Sequence, residues 1–346
     1  MKTASLTTGK WNRVWAGISP AILYAAIAWG APNEASAASE SLNCASALAK
    51  CGYPTAGNTG VVTVIKQKRS KKVIKKKKLR GKKRFKFIKV KFQNIPGDVT
   101  SGPGWRWDSR GFVSISGDGA VFRNFIVNGT IDVLGDNVLI DNVRVIVGGE
   151  TFGIAIRRAD NTYINRCMIG PAANMSRLMV GIKDIYGGAD NTTINKCNIY
   201  GTSTGIQIGR GRILNNFIHD LRAKSGDHLN GITSNGSTGQ LIVNHNTILN
   251  SADQTDAIGL FQDFGVEANR LIVNNFLAGG GYTIYAGEDP SDRPSYNIKI
   301  MNNRFSNIYY SRSGYYGYGT AFNRHGSGNV WSNNIWDHSG STVPPP

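Results

Sequence analysis

The chain has 346 residues, a formal net charge of +18 and four cysteines. Sixteen of its lysines and arginines lie between Lys66 and Lys91, a stretch without an acidic residue, so subtracting 16 from 18 leaves +2 for all the rest. Because the remaining surface is close to neutral, the net charge does not make the main body of the protein a nucleic-acid binder.

The N-terminus has the order of a secretory signal peptide. Basic residues precede the apolar run from Val14 to Ala31, and the small-residue sequence Ala35-Ser36-Ala37 follows it. A membrane anchor is the alternative, but Pro20 interrupts a run that is already marginal for crossing a bilayer. We therefore predict that residues 1–37 are removed, and that the mature protein is secreted, either periplasmic or extracellular.

The cysteines fall into two pairs, Cys44 with Cys51 and Cys167 with Cys197. An exported chain can keep both pairs as disulfides, and no histidine sits near them at metal-ligand spacing. The first pair would pin a short helix-compatible segment, so residues 38–63 are predicted to form an N-terminal cap. The second pair occupies equivalent positions of two repeats, where it forms either a disulfide or stacked thiols.

Residues 64–92 form a Lys-rich basic segment that leads into the first strands. Its last part, from Phe85 to Phe92, partly alternates lysine with apolar residues, as an edge strand does. Two interpretations stay open. The segment either binds a polyanion, such as an acidic polysaccharide, a membrane surface or extracellular DNA, or it is a solvated insertion whose like charges repel.

A short sequence motif recurs from residue 121 onward, in which aliphatic residues are followed by an Asn or Cys and then by another apolar residue. Taking that residue as a register mark gives Asn124, Val143, Cys167, Cys197, Asn216, Asn246, Asn275, Asn303 and Asn334. Repeats of about 20 to 30 residues with period-2 strands and no helical periodicity indicate a solenoid built from strands. The predicted fold is all-β, a single-stranded right-handed parallel β-helix over residues 93–340, with residues 341–346 as a disordered tail.

A second strand in each repeat predicts the outer face of one sheet. If the isoleucines at 154, 182, 206, 232 and 258 point inward, their C-terminal neighbours point outward. Those neighbours are Ala155, Lys183, Gln207, Thr233 and Gly259, and Arg157 lies close by. We therefore expect a flat strip of polar side chains that repeats every coil.

The densest group of reactive side chains lies on three successive coils beside this strip. The candidate catalytic residues are His228, Asp227, Lys224, Arg222, Asp256 and Asp263. The candidate substrate-binding residues are Arg157, Lys183, Gln207, Asn230, Gln262, Tyr285 and Glu288. Since Asp227 and Asp256 are 29 residues apart, about one repeat, they could be neighbours.

Two reactions can be built from these residues. In β-elimination on a uronic-acid polymer, a cation or metal neutralises the sugar carboxylate while His228 or Lys224 removes the C5 proton. In hydrolysis, Asp227 works with Asp256 or Asp263 as a pair of carboxylates. The competing explanation for each aspartate is a turn residue that bonds its own backbone. No EF-hand motif is present, and Ca²⁺ stays a candidate cofactor through irregular acidic loops.

Four segments carry a resemblance to a known protein family: PGDVTSGPGWRWDSRG from Pro96, GDHLNGITSNG from Gly226, DQTDAIGLFQDFG from Asp253 and AGGGYTIYAGE from Ala278. With them, the chain resembles a family of exported bacterial right-handed parallel β-helix repeat proteins, related in architecture to pectate lyases. The resemblance implies the fold and provides no catalytic residue. From the candidate residues we predict a monomeric polysaccharide lyase whose partner is an extracellular polysaccharide, acidic by preference. The alternatives are a glycoside hydrolase and a non-catalytic glycan-binding or cell-surface protein, since a fold does not carry a function.

Overall fold

The computed structural model describes residues 43–68, 85–289 and 293–346. The predicted signal peptide and the centre of the Lys-rich segment lie outside these ranges. Within them the chain is all-β, with a single 3-10 turn at Cys44–Ser46, and its stacked parallel strands form a solenoid of about nine turns. The predicted parallel β-helix is confirmed.

Each coil contributes one strand to each of three sheets, here called A, B and C in the order in which the coil visits them. Sheet A contains Val121–Arg123, Leu139–Asp141, Tyr163–Asn165, Thr193–Asn195, Gly211–Leu214, Leu241–Asn244, Ala268–Val273, Tyr296–Met301 and Val330–Ser332. Sheet B contains Gln93–Ile95, Phe125–Val127, Arg144–Ile146, Met168–Gly170, Asn198–Tyr200, Phe217–His219, Thr247–Asn250, Phe276–Gly279, Arg304–Phe305 and Ile335–Trp336. Sheet C contains Ser101–Gly102, Trp105–Asp108, Phe112–Ile115, Thr130–Val133, Gly149–Ile156, Leu178–Asp184, Thr202–Gln207, Asn230–Asn235, Asp256–Phe261, Tyr282–Ala286 and Gly317–Thr320.

In each coil, the corner between sheets A and B is a single residue whose backbone adopts the left-handed helical conformation, with a positive φ. Its φ lies between 52° and 60° in every coil. The residues are Asn124, Asn142, Arg166, Lys196, Asn215, His245, Asn274, Asn302 and Asn333. Asparagine is frequent here because its short polar side chain tolerates this conformation better than most residues do. The prediction that Asn124 marks the core position of its coil is therefore wrong by one residue. Asn124 forms the corner, and Phe125 occupies the core position equivalent to those of the later coils.

The residue after each corner points into the core and forms an asparagine ladder in five successive coils. Asn216, Asn246, Asn275, Asn303 and Asn334 are all fully buried. Each Nδ2 from Asn216 to Asn303 donates to the Oδ1 of the next rung at 2.9–3.0 Å, and the backbone N–H of the same residue donates to that oxygen as well. The ladder is thus a continuous hydrogen-bonded column inside an apolar core, which satisfies polar groups that would otherwise be costly to bury.

Cys167 and Cys197 occupy the two rungs before this ladder, as predicted, but they are free thiols. Their sulfurs lie 3.5 Å from the backbone oxygens of Asn165 and Asn195 respectively. Burial raises the pKa of Cys167 well above its usual value, which keeps that thiol protonated. Of the two alternatives for this pair, the structure has the stacked thiols and not the disulfide, whereas the disulfide predicted between Cys44 and Cys51 is confirmed.

A count of free thiols distinguishes the reduced from the disulfide-bonded form of the Cys167–Cys197 pair. We expect a thiol reagent such as DTNB to find no reactive thiol in the native protein, because both side chains are fully buried. After denaturation without reductant we expect two thiols per chain, measured by the colour released. A count of zero after denaturation would show that the pair is oxidised, and rapid reaction of the native protein would show that the core is open.

The segment from residue 43 to residue 63, here called the strap, runs along the side of the solenoid. The backbone N–H groups of Cys44 and Ala45 donate to the carboxylate of Asp337, in the last coil, at 3.0 and 2.9 Å. Near its other end, Val62 N–H donates to Asn142 Oδ1 in one of the first coils. The prediction of an N-terminal cap over residues 38–63 is therefore wrong for the described part of that range.

Apolar side chains on the outer face of sheet B explain the course of the strap. Leu249, Phe276 and Ala278 form a buried cluster with Cys44, and Tyr53 packs its ring at 5.5 Å from that of Phe276. These side chains point away from the solenoid core, so they need a separate cover. The strap provides it.

At the N-terminal end, the strands Trp105–Asp108 and Phe112–Ile115 form an antiparallel meander that extends sheet C. The two described ends of the Lys-rich segment, Val64–Lys68 and Phe85–Lys89, pair as an antiparallel hairpin. The predicted strand at Phe85 is thus present, but it pairs within the segment and does not join the three sheets. No helix in the described ranges is long and apolar enough to cross a membrane.

The C-terminal tail is ordered, contrary to the prediction for residues 341–346. Val343 is fully buried, and its carbonyl oxygen accepts a hydrogen bond from Trp331 Nε1 at 2.8 Å. Arg324 Nε donates to the Pro346 carbonyl at 3.1 Å. The tail folds back because the last coil leaves aromatic side chains and backbone groups that need a partner.

Candidate functional site

The outer face of sheet C carries the predicted strip. Ala155, Lys183, Gln207, Thr233 and Gly259 pair in register from coil to coil. Lys183 and Gln207 are half-buried, and the other three are covered by neighbouring side chains. The strip is therefore present, but it is a row of recesses rather than a flat surface.

One recess, the His228 groove, has a volume of about 290 Å³. It is lined by Thr204, Gln207, His228, Asn230, Thr233, Asn235, Thr255, Phe261 and Asp263. The lining combines hydroxyls, amides, an imidazole and a carboxylate with one aromatic ring. This mixture of hydrogen-bonding groups on a rigid sheet suits a polar ligand such as a sugar.

The loop that carries His228 is held in place by the buried side chain of Arg177, which is 2% exposed. Arg177 donates to both oxygens of Asp227, at 2.7 and 2.9 Å, and to Glu150 at 3.0 Å. Lys224 Nζ also pairs with Glu150 at 3.0 Å. The hydrogen bonds from Arg177 hold the pKa of Asp227 well below its usual range. Asp227 and Lys224 are therefore committed to the loop, and Asp227 does not form the carboxylate pair predicted with Asp256.

Asp256 is fully buried, and neither carboxyl oxygen has a hydrogen-bond partner among the described residues. A Cβ added at Gly259 would stand 2.5 Å from Asp256 Oδ2 and closer still to the Phe261 ring, so both side chains occupy the space that Gly259 leaves open. Burial alone raises the pKa of Asp256 well above its usual value. Burial therefore favours the protonated, neutral form of this carboxyl, which lies beside the Phe261 ring.

Two neighbours frame this acid. Asn230 is its register partner on the preceding coil, and Asn230 Nδ2 lies 3.4 Å from Thr204 Oγ1 while its Oδ1 is buried without a partner among the described residues. Tyr285 packs its ring against Phe261 at 5.2 Å between centroids. Burial raises the pKa of Tyr285, and the nearby Asp256 adds to the effect. His228 stands at the same end of the groove, with its Nδ1 3.4 Å from Thr255 Oγ1.

Several predicted substrate-binding residues have structural partners instead. Arg157 pairs with Asp132 at 3.0 Å. Gln262 is buried, and its Nε2 donates to the backbone carbonyls of Gly287 and Arg293 in the next coil. Glu288 accepts from Ser295 at 2.9 Å and from Asn323 at 3.2 Å. Arg222, predicted as catalytic, has an exposed side chain and is absent from the lining of the groove.

The structure thus brings together His228, Asn230, Gln207 and Asp263 in one groove and places Asp256 and Tyr285 behind it. Sequence reasoning missed Asn235 and Phe261 as lining residues and Arg177 as the residue that fixes the loop. Asn235 and Phe261 end neighbouring strands of sheet C in register, which the repeat could have revealed. Arg177 is 50 residues from Asp227 and carries no local signal.

The described residues contain no group of three or more His, Cys, Asp or Glu side chains arranged to hold a metal ion. The chain matches no family model, no curated protein and no solved structure.

Proposed function

We propose that this protein acts on an extracellular polysaccharide and cleaves an acidic glycan by β-elimination at the His228 end of the groove. The observation that carries the proposal is the juxtaposition of an exposed imidazole, His228, with the amide of Asn230 and the buried carboxyl of Asp256, which has no hydrogen-bond partner among the described residues. A base and two hydrogen-bond donors of this kind are the groups that proton removal beside a carboxylate needs.

His228 serves as the base. Its Nδ1 lies 3.4 Å from the hydroxyl of Thr255, and no ion pair among the described residues includes its side chain. Neutral imidazole is a competent base near neutral pH. It removes the proton on C5 of the sugar, the bond from C4 to the glycosidic oxygen breaks, and a C4–C5 double bond forms. The departing oxygen takes the proton back from His228.

Asn230 and Asp256 stabilise the charge that builds on the sugar carboxylate. A neutral carboxylic acid is a strong hydrogen-bond donor, and burial, which raises the pKa of Asp256, favours that form. Two cations among the predicted site residues already have carboxylate partners, since Lys224 pairs with Glu150 and Arg157 pairs with Asp132. Because Asp256 is fully buried beside the Phe261 ring, substrate binding as proposed requires that ring to move aside.

Hydrolysis is the second candidate, favoured by the same raised pKa of Asp256. A protonated Asp256 would be the general acid, and Asp263, which lines the groove, would be the second carboxylate. A protein that only binds glycans would use the same groove without either reaction.

The test is incubation of the mature protein with a panel of uronic-acid polymers. We expect ultraviolet absorbance from unsaturated sugar ends, and we expect His228→Ala to lower the rate at least 100-fold, the size of a general-base contribution. His325→Ala, an exposed histidine in a distant loop, is the matched control and should keep full activity. New reducing ends without absorbance would replace elimination with hydrolysis, and binding without either product would make the protein a glycan-binding one.

A further inference from the structure

A second recess, the Lys183 groove, adjoins the His228 groove on the outer face of sheet C. Its volume is about 380 Å³. It is lined by Lys183, Asp184, Ile185, Tyr186, Gly187, Gln207, Ile208, Gly209, Ser234, Asn235, Gly236, Ser237 and Phe264. Gln207 and Asn235 line both recesses, so the two form one continuous surface. Lys183 lies two coils from Thr233, or about 10 Å along the axis.

Lys183 is the lysine of this groove, and it is not held in an ion pair in the described structure. None of the ion pairs among the described residues includes it, and its ammonium lies 5.5 Å from the centroid of the Phe152 ring. Burial lowers its pKa, as expected for a partly desolvated charge. Asp184 also lines the groove, but its carboxylate accepts the backbone N–H groups of Gly187 and Ala189 at 3.0 and 3.1 Å and forms no ion pair with Lys183.

Two aromatic side chains of this groove are unusually exposed. Tyr186 is 57% exposed and Phe264 is 84% exposed. Arg158 stacks on the Tyr186 ring at 4.8 Å, which holds the ring in place. Flat rings beside a polar recess offer a face on which a sugar ring can pack its C–H groups.

We propose that the Lys183 groove is a second sugar subsite, which takes a carboxylate-bearing sugar of the same glycan and determines the preference for acidic polymers. Lys183 binds the sugar carboxylate, Gln207 and Asn235 bind hydroxyls, and Tyr186 and Phe264 contact the sugar ring. The inference rests on the proposed function only in that a single glycan occupies both grooves, and it concerns binding rather than cleavage.

The test measures binding by calorimetry in the His228→Ala background, so that cleavage does not consume the ligand. The probes are a uronic-acid oligosaccharide and the same oligosaccharide with its carboxyl groups reduced. We expect Lys183→Met to weaken binding of the charged probe about 10- to 100-fold, the worth of a hydrogen bond to a charged group, and to leave the reduced probe unaffected. Methionine preserves the packing on Phe152, and Lys183→Arg should retain most of the affinity.

Two further variants separate this subsite from general effects. Lys299→Met removes the same charge from a half-buried lysine on sheet A and should change nothing. Tyr186→Ala should weaken both probes by a similar factor, because stacking does not depend on the carboxylate. Equal affinity for the two probes, or no binding of the charged probe, would overturn the subsite. Binding that depends on Lys183 in a protein that cleaves no polymer would overturn the proposed reaction and leave the subsite standing.

Discussion

Replacing Asn246 with leucine is expected to lower the free energy of unfolding by about 4 kcal/mol. The Oδ1 atom of Asn246 accepts both the backbone N–H and the Nδ2 of Asn216, at 2.9 Å each, in a fully buried core. Leucine leaves these two donors without a partner, and each buried unsatisfied group costs about 1–3 kcal/mol. Chemical denaturation followed by circular dichroism measures the loss as a shift of the midpoint.

The ladder offers a graded comparison for this prediction. The Oδ1 atom of Asn216 accepts only the backbone N–H of Cys197, at 2.8 Å, because the cysteine side chain has no amide. Asn216→Leu should therefore cost about half as much as Asn246→Leu by the same reasoning. Asn244→Ala, at a partly exposed sheet A position two residues before Asn246, should cost under about 1 kcal/mol. Equal losses in all three variants would show that burial of the column is not what stabilises the coils.

Much of the solenoid could be predicted because its pattern is local and repeated. Within each short strand, inward-facing residues such as Ile182 and Ile206 alternate with outward-facing ones. Each coil repeats this pattern at equivalent positions. Asparagine serves twice in the repeat, once at the left-handed corner and once in the core. Those two positions are adjacent in the chain, so the sequence did not separate Asn124 from the true core rung.

The path of the strap could not be predicted, since its contacts join residues that are far apart. The hydrogen bond from Cys44 to Asp337 spans 293 residues. A helix-compatible segment with a disulfide fits a cap over a solenoid end as well as it fits a cover over a sheet. The choice depends on where apolar side chains such as Phe276 remain outside the core, and this depends on the register of the whole solenoid.

For the candidate site, residue type showed which side chains are reactive, and the fold showed which of them are available. Asp227 and Asp256 look alike in the sequence, each beside a strand of sheet C. One accepts two hydrogen bonds from Arg177, and the other has no partner in the described structure. Opposite pKa shifts follow from these surroundings, because Arg177 favours the ionised form of Asp227 and burial favours the protonated form of Asp256.

Asp256→Asn is expected to stabilise the protein at neutral pH. A carboxyl whose folded pKa is raised binds its proton more tightly in the folded state, so stability falls as pH rises from the unfolded pKa, near 4, to the folded one. The cost is about 1.4 kcal/mol for each unit of the shift, and asparagine removes it. Denaturation midpoints at a series of pH values should therefore coincide for the two proteins in acid and diverge above pH 4. Asp263→Asn, an exposed aspartate in the same groove, should show no such divergence.

Activity of the same variants separates the two roles proposed for Asp256. If the acid donates a hydrogen bond to the sugar carboxylate, the asparagine amide can still donate one, and elimination should persist within about tenfold. Asp256→Leu removes the donor and should lower the rate about 100- to 1,000-fold, as loss of one donor to a developing oxyanion does. If Asp256 instead transfers its proton in hydrolysis, asparagine should be as inactive as leucine. A variant Asp256→Asn that is less stable than the natural protein at neutral pH would contradict the neutral acid itself, because it would show that the carboxylate is ionised and paired in the folded chain.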